Sequence, residues 1–404
     1  LTTLIPIQDN GLVKSCLLCR REPGLVSAGT PDRGPLDDDE TRALDTQGHD
    51  CATRDAAQRD KAADIWSRGP MAVPGRPAKD FEELARHGGL PPAGTAAKAA
   101  LGRRESRNHL ATIAADGNGI GGLVQAMMPA DGAPGRLVLD SLYRDMVGRL
   151  DDAIHNAVRT AARSVGDSMP EVRVMAAHYV GGDDCLVSVP AAYAWRFATQ
   201  LAETFGELGP QLAALLDDDL RRMEQRGPLT DAAKESAERV RERIQRISLG
   251  VGMTFAHSSQ PFAETNALAH RALAAAKRAG SGKDPVIGWV DMTAESDAAF
   301  GARAAIPTIA VSHARQQLDQ PATRSDEHVF RLKPSARSQL ATLLRDEGSE
   351  ASDEVKRWAK RRGEQFWSAP RANSQPWEER MATLPAALSR ARWWPNVADE
   401  ETGS

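Results

Sequence analysis

Cysteine is scarce: four residues (Cys16, Cys19, Cys51 and Cys185) in a chain of 404 cannot form the disulfide framework of a secreted scaffold. The compact Cys16–Cys19 pair suits a metal better. Long apolar runs are missing as well. No stretch approaches the roughly 18–20 residues that a membrane-spanning helix requires, and no charged-plus-apolar leader opens the sequence. Together these absences point to a cytoplasmic location with no membrane partner. A surplus of either charge is also lacking. The net charge of −4 excludes a uniformly basic nucleic-acid coat but leaves room for a local basic groove. No internal repeat is visible, and the first residue is Leu1 rather than Met, as expected of a fragment or a processed chain.

The length suggests two or three domains. Residues 1–105 read as an irregular and helical N-terminal segment, with the solvated acidic run Asp37–Glu40 and helical fragments between Pro/Gly breaks, among them Asp80–Arg86. Residues 106–300 carry the clearest pattern. His109–Ala115 reads as a buried strand ending in Asp116-Gly117-Asn118-Gly119, and Leu139–Val165 as a long amphipathic helix. Val172–Tyr179 and Cys185–Val189 are strands joined by the turn Gly181–Asp184, and Ala191–Phe205 is a helix. A charged helical insertion occupies 209–246. Ile247–Ala256 is a fourth strand, followed by a helix capped by Ser259 and Pro261 that runs to Arg278, and Val286–Val290 is a fifth strand. This order predicts an α+β fold: a ferredoxin-like, antiparallel-centred sheet with helices on one face. Residues 301–404 read as a linker and a helical C-terminal domain rich in Arg, Glu and Trp.

A ferredoxin-like sheet brings the end of its first strand beside the central hairpin, so Asp116 meets Asp183 and Asp184. Three clustered carboxylates repel one another unless a cation neutralises them. All-oxygen ligands with open positions suit Mg²⁺ or Mn²⁺ bound jointly with substrate phosphates, the arrangement for phosphoryl transfer. Gly181 and Gly182 are expected to supply positive φ angles to the turn. Gly117 and Gly119, with Gly121 and Gly122, offer backbone N–H groups to phosphates. The helix closing in Lys277-Arg278-Ala279-Gly280 adds cations: Lys277 can neutralise a triphosphate, and Lys283 follows in the next turn. Each feature alone has a plainer reading, a tight turn for the hairpin and a dipole complement for the lysine. Their combination is what favours chemistry.

These same residues resemble a known family. The strand-ending Asp-Gly-x-Gly, the Gly-Gly-Asp-Asp hairpin and the helix closing in Ala-Lys-Arg-x-Gly resemble the palm of GGDEF-type cyclases. They are closer to the large catalytic subunit of type III CRISPR effector complexes, where the hairpin also reads Gly-Gly-Asp-Asp before apolar residues and a Pro, as in Cys185–Pro190. Phe255-Ala256-His257 and Pro261 fit that pattern as well. The resemblance covers about residues 105–295. It implies synthesis of cyclic oligoadenylate from ATP, triggered in a complex with other CRISPR subunits, guide RNA and target RNA. Carried over, Asp116, Asp183 and Asp184 would hold Mg²⁺ or Mn²⁺ and Lys277 the triphosphate. The family often has a second carboxylate where this sequence has Asn118. It also carries a zinc module of two Cys-x-x-Cys pairs before the palm; here Cys16 and Cys19 would pair with His49 and Cys51, a spacing far from the common knuckle, and the alternative is a reduced pair without metal. The lone His49-Asp50 has no upstream partner for an HD-type nuclease. On this reading the chain resembles the C-terminal half of the subunit.

Other residues read as structural: His257 as packing, Cys185 as a small core residue, Asp217–Asp219 as a solvated helix face, and Trp367, Trp377, Trp393 and Trp394 as a helical-domain core and docking face. Competing functions are a stand-alone palm synthase of cyclic dinucleotides and a silent nucleotide-binding scaffold.

Overall fold

The computed structural model describes residues 72–90, 108–127, 139–292, 306–319, 334–346 and 351–361, with isolated positions at 26–27, 46–47, 66, 384, 387–388, 390 and 393. The chain divides into two compact units, Leu1–Ala72 and Val73–Ser404. In the first unit the described residues include an antiparallel pair, β1 (Val26–Ser27) with β2 (Thr46–Gln47), and a buried Trp66. Cys16, Cys19, His49 and Cys51 lie outside the described residues, as do Trp367, Trp377 and Trp394.

The second unit opens with a strap that carries α1 (Phe81–His87). Asp80 caps this helix, its Oδ1 accepting from Glu83 N at 2.7 Å. The strap belongs with the sheet: Leu84 packs against Leu110, and both Arg76 and Gly88 bridge to Val172. The sequence boundary at 105 had grouped these residues with the N-terminal segment. The bridges also explain why the strand expected from Val172 enters the sheet only at Ala176. Residues 172–175 face the strap instead.

The sheet is built on β3 (His109–Asn118), buried along nearly its whole length. Then follow α2 (Ile120–Met127), α3 (Asp140–Ser164), β4 (Ala176–Gly181), β5 (Asp184–Pro190), α4 (Ala194–Gly206), α5 (Leu208–Glu224) and α6 (Asp231–Ile244). The core closes with β6 (Ser248–His257), α7 (Phe262–Ala279), β7 (Val286–Asp291), β8 (Thr308–Ala310) and α8 (Val311–Asp319). Strand order is β4-β5-β3-β6-β7-β8, antiparallel throughout except for the parallel pair β6–β7. The first four of these strands, with α3 and α4, have the ferredoxin-like order that the sequence implied. β8 adds a sixth strand from residues the sequence had left to the linker.

Alternation along β6 sorts the helices by face. Phe255 meets Trp195 of α4, which also packs edge-on against Trp289 of β7. Residues of the other parity, Gly250 and Gly252, face α7, and Thr112 of β3 hydrogen-bonds Thr265 there at 3.2 Å. α3 and α4 pack together, as expected of helices sharing a face. The later helix α7 covers the opposite face, so the sheet is clothed on both sides. Gly252 makes that possible: a Cβ there would lie 2.2 Å from Ala269 O and from Leu273 N. Pro261 takes the N-cap position of α7 without a side-chain bond, while Ser259 Oγ binds the His257 ring at 2.8 Å.

The insertion is more than a solvated appendage. Asp219 of α5 is 3% exposed and accepts from Ser141 N (3.1 Å) and Leu142 N (3.0 Å) at the start of α3. Leu139 provides no side-chain cap there, so a carboxylate from another helix satisfies the orphan donors and the positive end of the dipole. This corrects the reading of Asp217–Asp219 as wholly solvated. Spacing alone hides such a cap, because the partner lies 78 positions away. Beyond the sheet, α9 (Pro334–Asp346) and α10 (Ala351–Arg361) pack on each other. Trp393 stacks on Phe255 at 5.6 Å and donates to Asp291 Oδ2 at 3.1 Å, joining the C-terminal segment to the sheet end far from Asp116. No described helix is long and apolar enough to cross a membrane.

Candidate active site

β3, β5 and the β4–β5 turn bring the three aspartates together. Asp116 lies directly opposite Asp184 in the β3–β5 register, with Gly250 of β6 on its other side. Gly182 and Asp183 form a two-residue turn between the paired Gly181 and Asp184. Only Gly182 has a positive φ, 64°, the requirement of a type II′ hairpin turn. Gly181 was expected to share that role; it stands instead in the ladder. The turn folds back on β3, where Gly117 N donates to Asp183 O at 2.9 Å. A side chain at Gly117 would not fit, since a Cβ there would be 2.8 Å from Asp183 Oδ2.

Electrostatics make the cluster unstable without a cation. Like charges directly opposite on neighbouring strands repel. Burial, reinforced by the charge of Asp184, raises the pKa of Asp183 above its usual value. The cation present is Lys277, from the last turn of α7. Its Nζ contacts Asp116 Oδ1 and donates to Gly117 O at 3.2 Å. Burial works against the ammonium and lowers its pKa.

Among the described residues no three His, Cys, Asp or Glu side chains already converge on an ion position. Asp116 is turned to Lys277 and Asp183 to Gly117. The donor set is nonetheless of the right kind: carboxylates on β3, on β5 and in the turn that precedes β5, one of them desolvated, with the Lys277 ammonium against Asp116. Oxygen donors of this type suit Mg²⁺ or Mn²⁺.

Asn118, where the resemblance allowed a carboxylate, is 2% exposed; its Nδ2 donates to Ser248 Oγ at 2.9 Å, and Oδ1 has no hydrogen-bond partner. Gly119 has φ 81°, and α2 begins directly after it, so its first-turn N–H groups lie next to Asp116 in the chain. Gly121 and Gly122 fall in that first turn. Arg243 of α6 reaches it as well, its guanidinium 3.4 Å from the position of a Gly122 Cβ. Lys283 is the weakest of the expected residues: its side chain is exposed without an ion pair among the described residues, and its carbonyl accepts from Ser248 Oγ at 2.7 Å.

Two residues around the hairpin were not assigned roles from sequence. Asp151 of α3 accepts from Gly182 N at 3.1 Å. Tyr179, half exposed on β4, donates to Gly181 O at 3.2 Å, and its phenol pKa is raised, first by a hydrogen bond to Asp184 and then by the surrounding carboxylates. Nothing in a helix of mixed charge distinguishes Asp151 from its neighbour Asp152. Only the fold does.

Fold and site define a palm: a ferredoxin-like sheet whose central hairpin presents two aspartates to a third on the adjacent strand. Residues 109–287 match the sequence profile of Cas10/Cmr2, second palm domain. Solved structures that resemble the chain include Csm1 from T. onnurineus, at 14% identity, TM-score 0.43, covering 79% of this chain and 41% of that one. A Csm1–Csm4 cassette in complex with pppApA matches at 13% identity, TM-score 0.42, over 77% and 37% of the two chains. A cassette in complex with cA3 matches at 14% identity, TM-score 0.39, over 70% and 36%. The chain thus spans about two fifths of the length of these structures. Among curated proteins no significant match was found.

Proposed function

We propose that this chain is a nucleotidyltransferase that uses a divalent metal to make cyclic oligoadenylate from ATP, working within a type III CRISPR effector complex. One observation carries the reading: Asp116 and Asp184 stand opposite each other in a Cas10/Cmr2 palm, with Asp183 folded onto Gly117. Asp116, Asp183 and Asp184 would hold Mg²⁺ or Mn²⁺. When bound, the ions lower the pKa of an attacking hydroxyl and offset the charge of the triphosphate and leaving pyrophosphate.

The chain's own groups do the rest. Gly117 and Gly182, lacking side chains, let a nucleotide approach the backbone of both strands. The first-turn N–H groups of α2 after Gly119, with Arg243, offer donors and positive charge to phosphate oxygens. Lys277, displaced from Asp116, has the reach to follow the triphosphate, and Lys283 lies in the turn just beyond. The whole protein's partners, other CRISPR subunits with guide and target RNA, come with this reading, as does a zinc module at Cys16, Cys19, His49 and Cys51.

The test is incubation of the protein, alone and with its complex, with each NTP and Mg²⁺ or Mn²⁺, followed by mass analysis of products. Cyclic adenylates from ATP, abolished by Asp183→Ala with Asp184→Ala, are expected. A product made only from GTP points to the stand-alone cyclic dinucleotide synthase instead. No product under any condition, with nucleotide still bound, leaves the scaffold reading.

A further inference from the structure

We infer that Asp151 is a positioning residue that holds the catalytic hairpin in place from α3, an assignment that rests on the function proposed above. The hairpin tip is a two-residue turn, and its outer residue is open: no atom lies within 4 Å of the position a Cβ would take on Gly182. Packing therefore does not fix the tip. Two backbone hydrogen bonds on consecutive residues do. Asp183 O accepts from Gly117 N on the β3 side, and Gly182 N donates to Asp151 Oδ1 on the α3 side, at 3.1 Å.

The anchor itself is rigid. Its neighbours Leu150 and Ile154 are buried in the core of the unit, at 6% and 0% exposure, so the helix carries Asp151 at a fixed height. His155 Nδ1 approaches the Asp151 carbonyl at 2.8 Å and its carboxylate at 3.5 Å, restricting the side chain further. Tyr179 binds Gly181 O as well, and its hydroxyl and Asp151 Oδ1 both lie 3.5 Å from the position of a Gly181 Cβ, so the two groups meet the turn on the same side.

A carboxylate is an odd choice for this task. It adds a fourth negative charge near Asp183 and Asp184, where any hydrogen-bond acceptor would satisfy the Gly182 N–H. Two roles are therefore separable: acceptor for the turn, or additional ligand for a cation. The geometry points to the acceptor role, because Oδ1 is already engaged by an N–H. Asp184 is held opposite Asp116 by the ladder, but a turn released on one side would leave Asp183 free to shift, and misplacement of about 1 Å costs on the order of 100-fold in rate.

The experiment compares Asp151→Asn, which keeps the acceptor and loses the charge, with Asp151→Ala and Asp151→Ser, which lose the reach. Asparagine is expected to keep kcat and Mn²⁺ affinity within about 3-fold of the parent. Alanine and serine are expected to lower kcat by about 10- to 100-fold with KM for ATP little changed. A second readout is independent of turnover: hydrogen exchange at the Gly182 amide should be slow in the parent and the asparagine variant, and at least about 10-fold faster in the other two. If alanine and serine leave both kcat and Gly182 exchange unchanged, the inference is wrong. If asparagine falls as far as alanine and Mn²⁺ affinity falls with it, Asp151 is an ion ligand and the positioning role is overturned. If the parent protein makes no product from ATP, the proposed function fails while Gly182 exchange still decides the tether.

Discussion

Replacing Lys277 by methionine removes the one side-chain cation paired with these carboxylates among the described residues, while keeping the apolar stem that packs along Gly250. Both partners of the Lys277–Asp116 pair are about one-third exposed, at 32% and 34%. At an effective dielectric near 20, charges in contact gain roughly 4 kcal/mol before desolvation and side-chain ordering are counted. For a pair about one-third exposed, about 1–2 kcal/mol of this survives screening and desolvation. Repulsion between Asp116 and the facing Asp184, no longer offset, adds about 0.2–1 kcal/mol. In metal-free buffer the variant should therefore lose about 1–3 kcal/mol, or roughly 3–8 °C in Tm for a unit of this size. Divalent metal should reverse the order. With no ammonium competing for Asp116, Mn²⁺ should raise the Tm of Lys277→Met by more than it raises that of the parent. Scanning fluorimetry in EDTA and across a Mn²⁺ titration measures both effects. An unchanged Tm in EDTA, or identical Mn²⁺ shifts in the two proteins, would refute the view of Lys277 as a resident counter-ion.

Further tests address the scaffold. Gly252→Ala forces a methyl into α7 backbone atoms 2.2 Å away, so a loss of at least about 2 kcal/mol is expected, read as a lower denaturation midpoint or insoluble protein. The Arg76–Glu83 pair holds the pKa of Glu83 down to about 2, through the Arg76 hydrogen bond first. Its stabilising effect is thus complete above the ordinary value near 4.5 and fades as pH falls toward 2. Arg76→Met should cost about 1 kcal/mol at pH 7 and almost nothing near pH 2, as measured by urea unfolding. Cys185 is buried, and burial with the charge of Asp184 pushes its pKa up to about 12. Alkylation at pH 8 should leave it unmodified in the native protein and label it fully in denaturant, as mass mapping of the peptide will show.

The parts legible from sequence were those written in a short stretch of chain. The Gly-Gly-Asp-Asp hairpin, the strand ending at Asp116 and the α7 helix ending at Lys277 each carry a local signature. The ferredoxin-like order then brings them to one place. What stayed hidden depends on contacts between distant segments. Asp219 looks like any acid in a charged helix until α3 supplies the bare N–H groups it caps. Asp151 gains meaning only once the turn lies beside α3. Val172 has a strand-forming sequence, but the strap from Val73 claims its backbone first. β8 is three residues long, too short for periodicity to reveal. The covering of both faces was equally invisible, because Gly252 reads as a weak point in a strand and acts as the seat of a helix.

The cap that Asp219 places on α3 has a consequence for anyone wishing to shorten or transplant this domain. By composition, residues 208–244 look expendable, a charged loop-out that could be replaced by a few linking residues. Excising them would strip α3 of its N-terminal acceptor at one end of the helix that carries Asp151 near its middle. A trimmed domain would thus be weakened in the helix that steadies the hairpin, even with every motif residue retained. A graft of this palm onto another scaffold should carry α5 along with it.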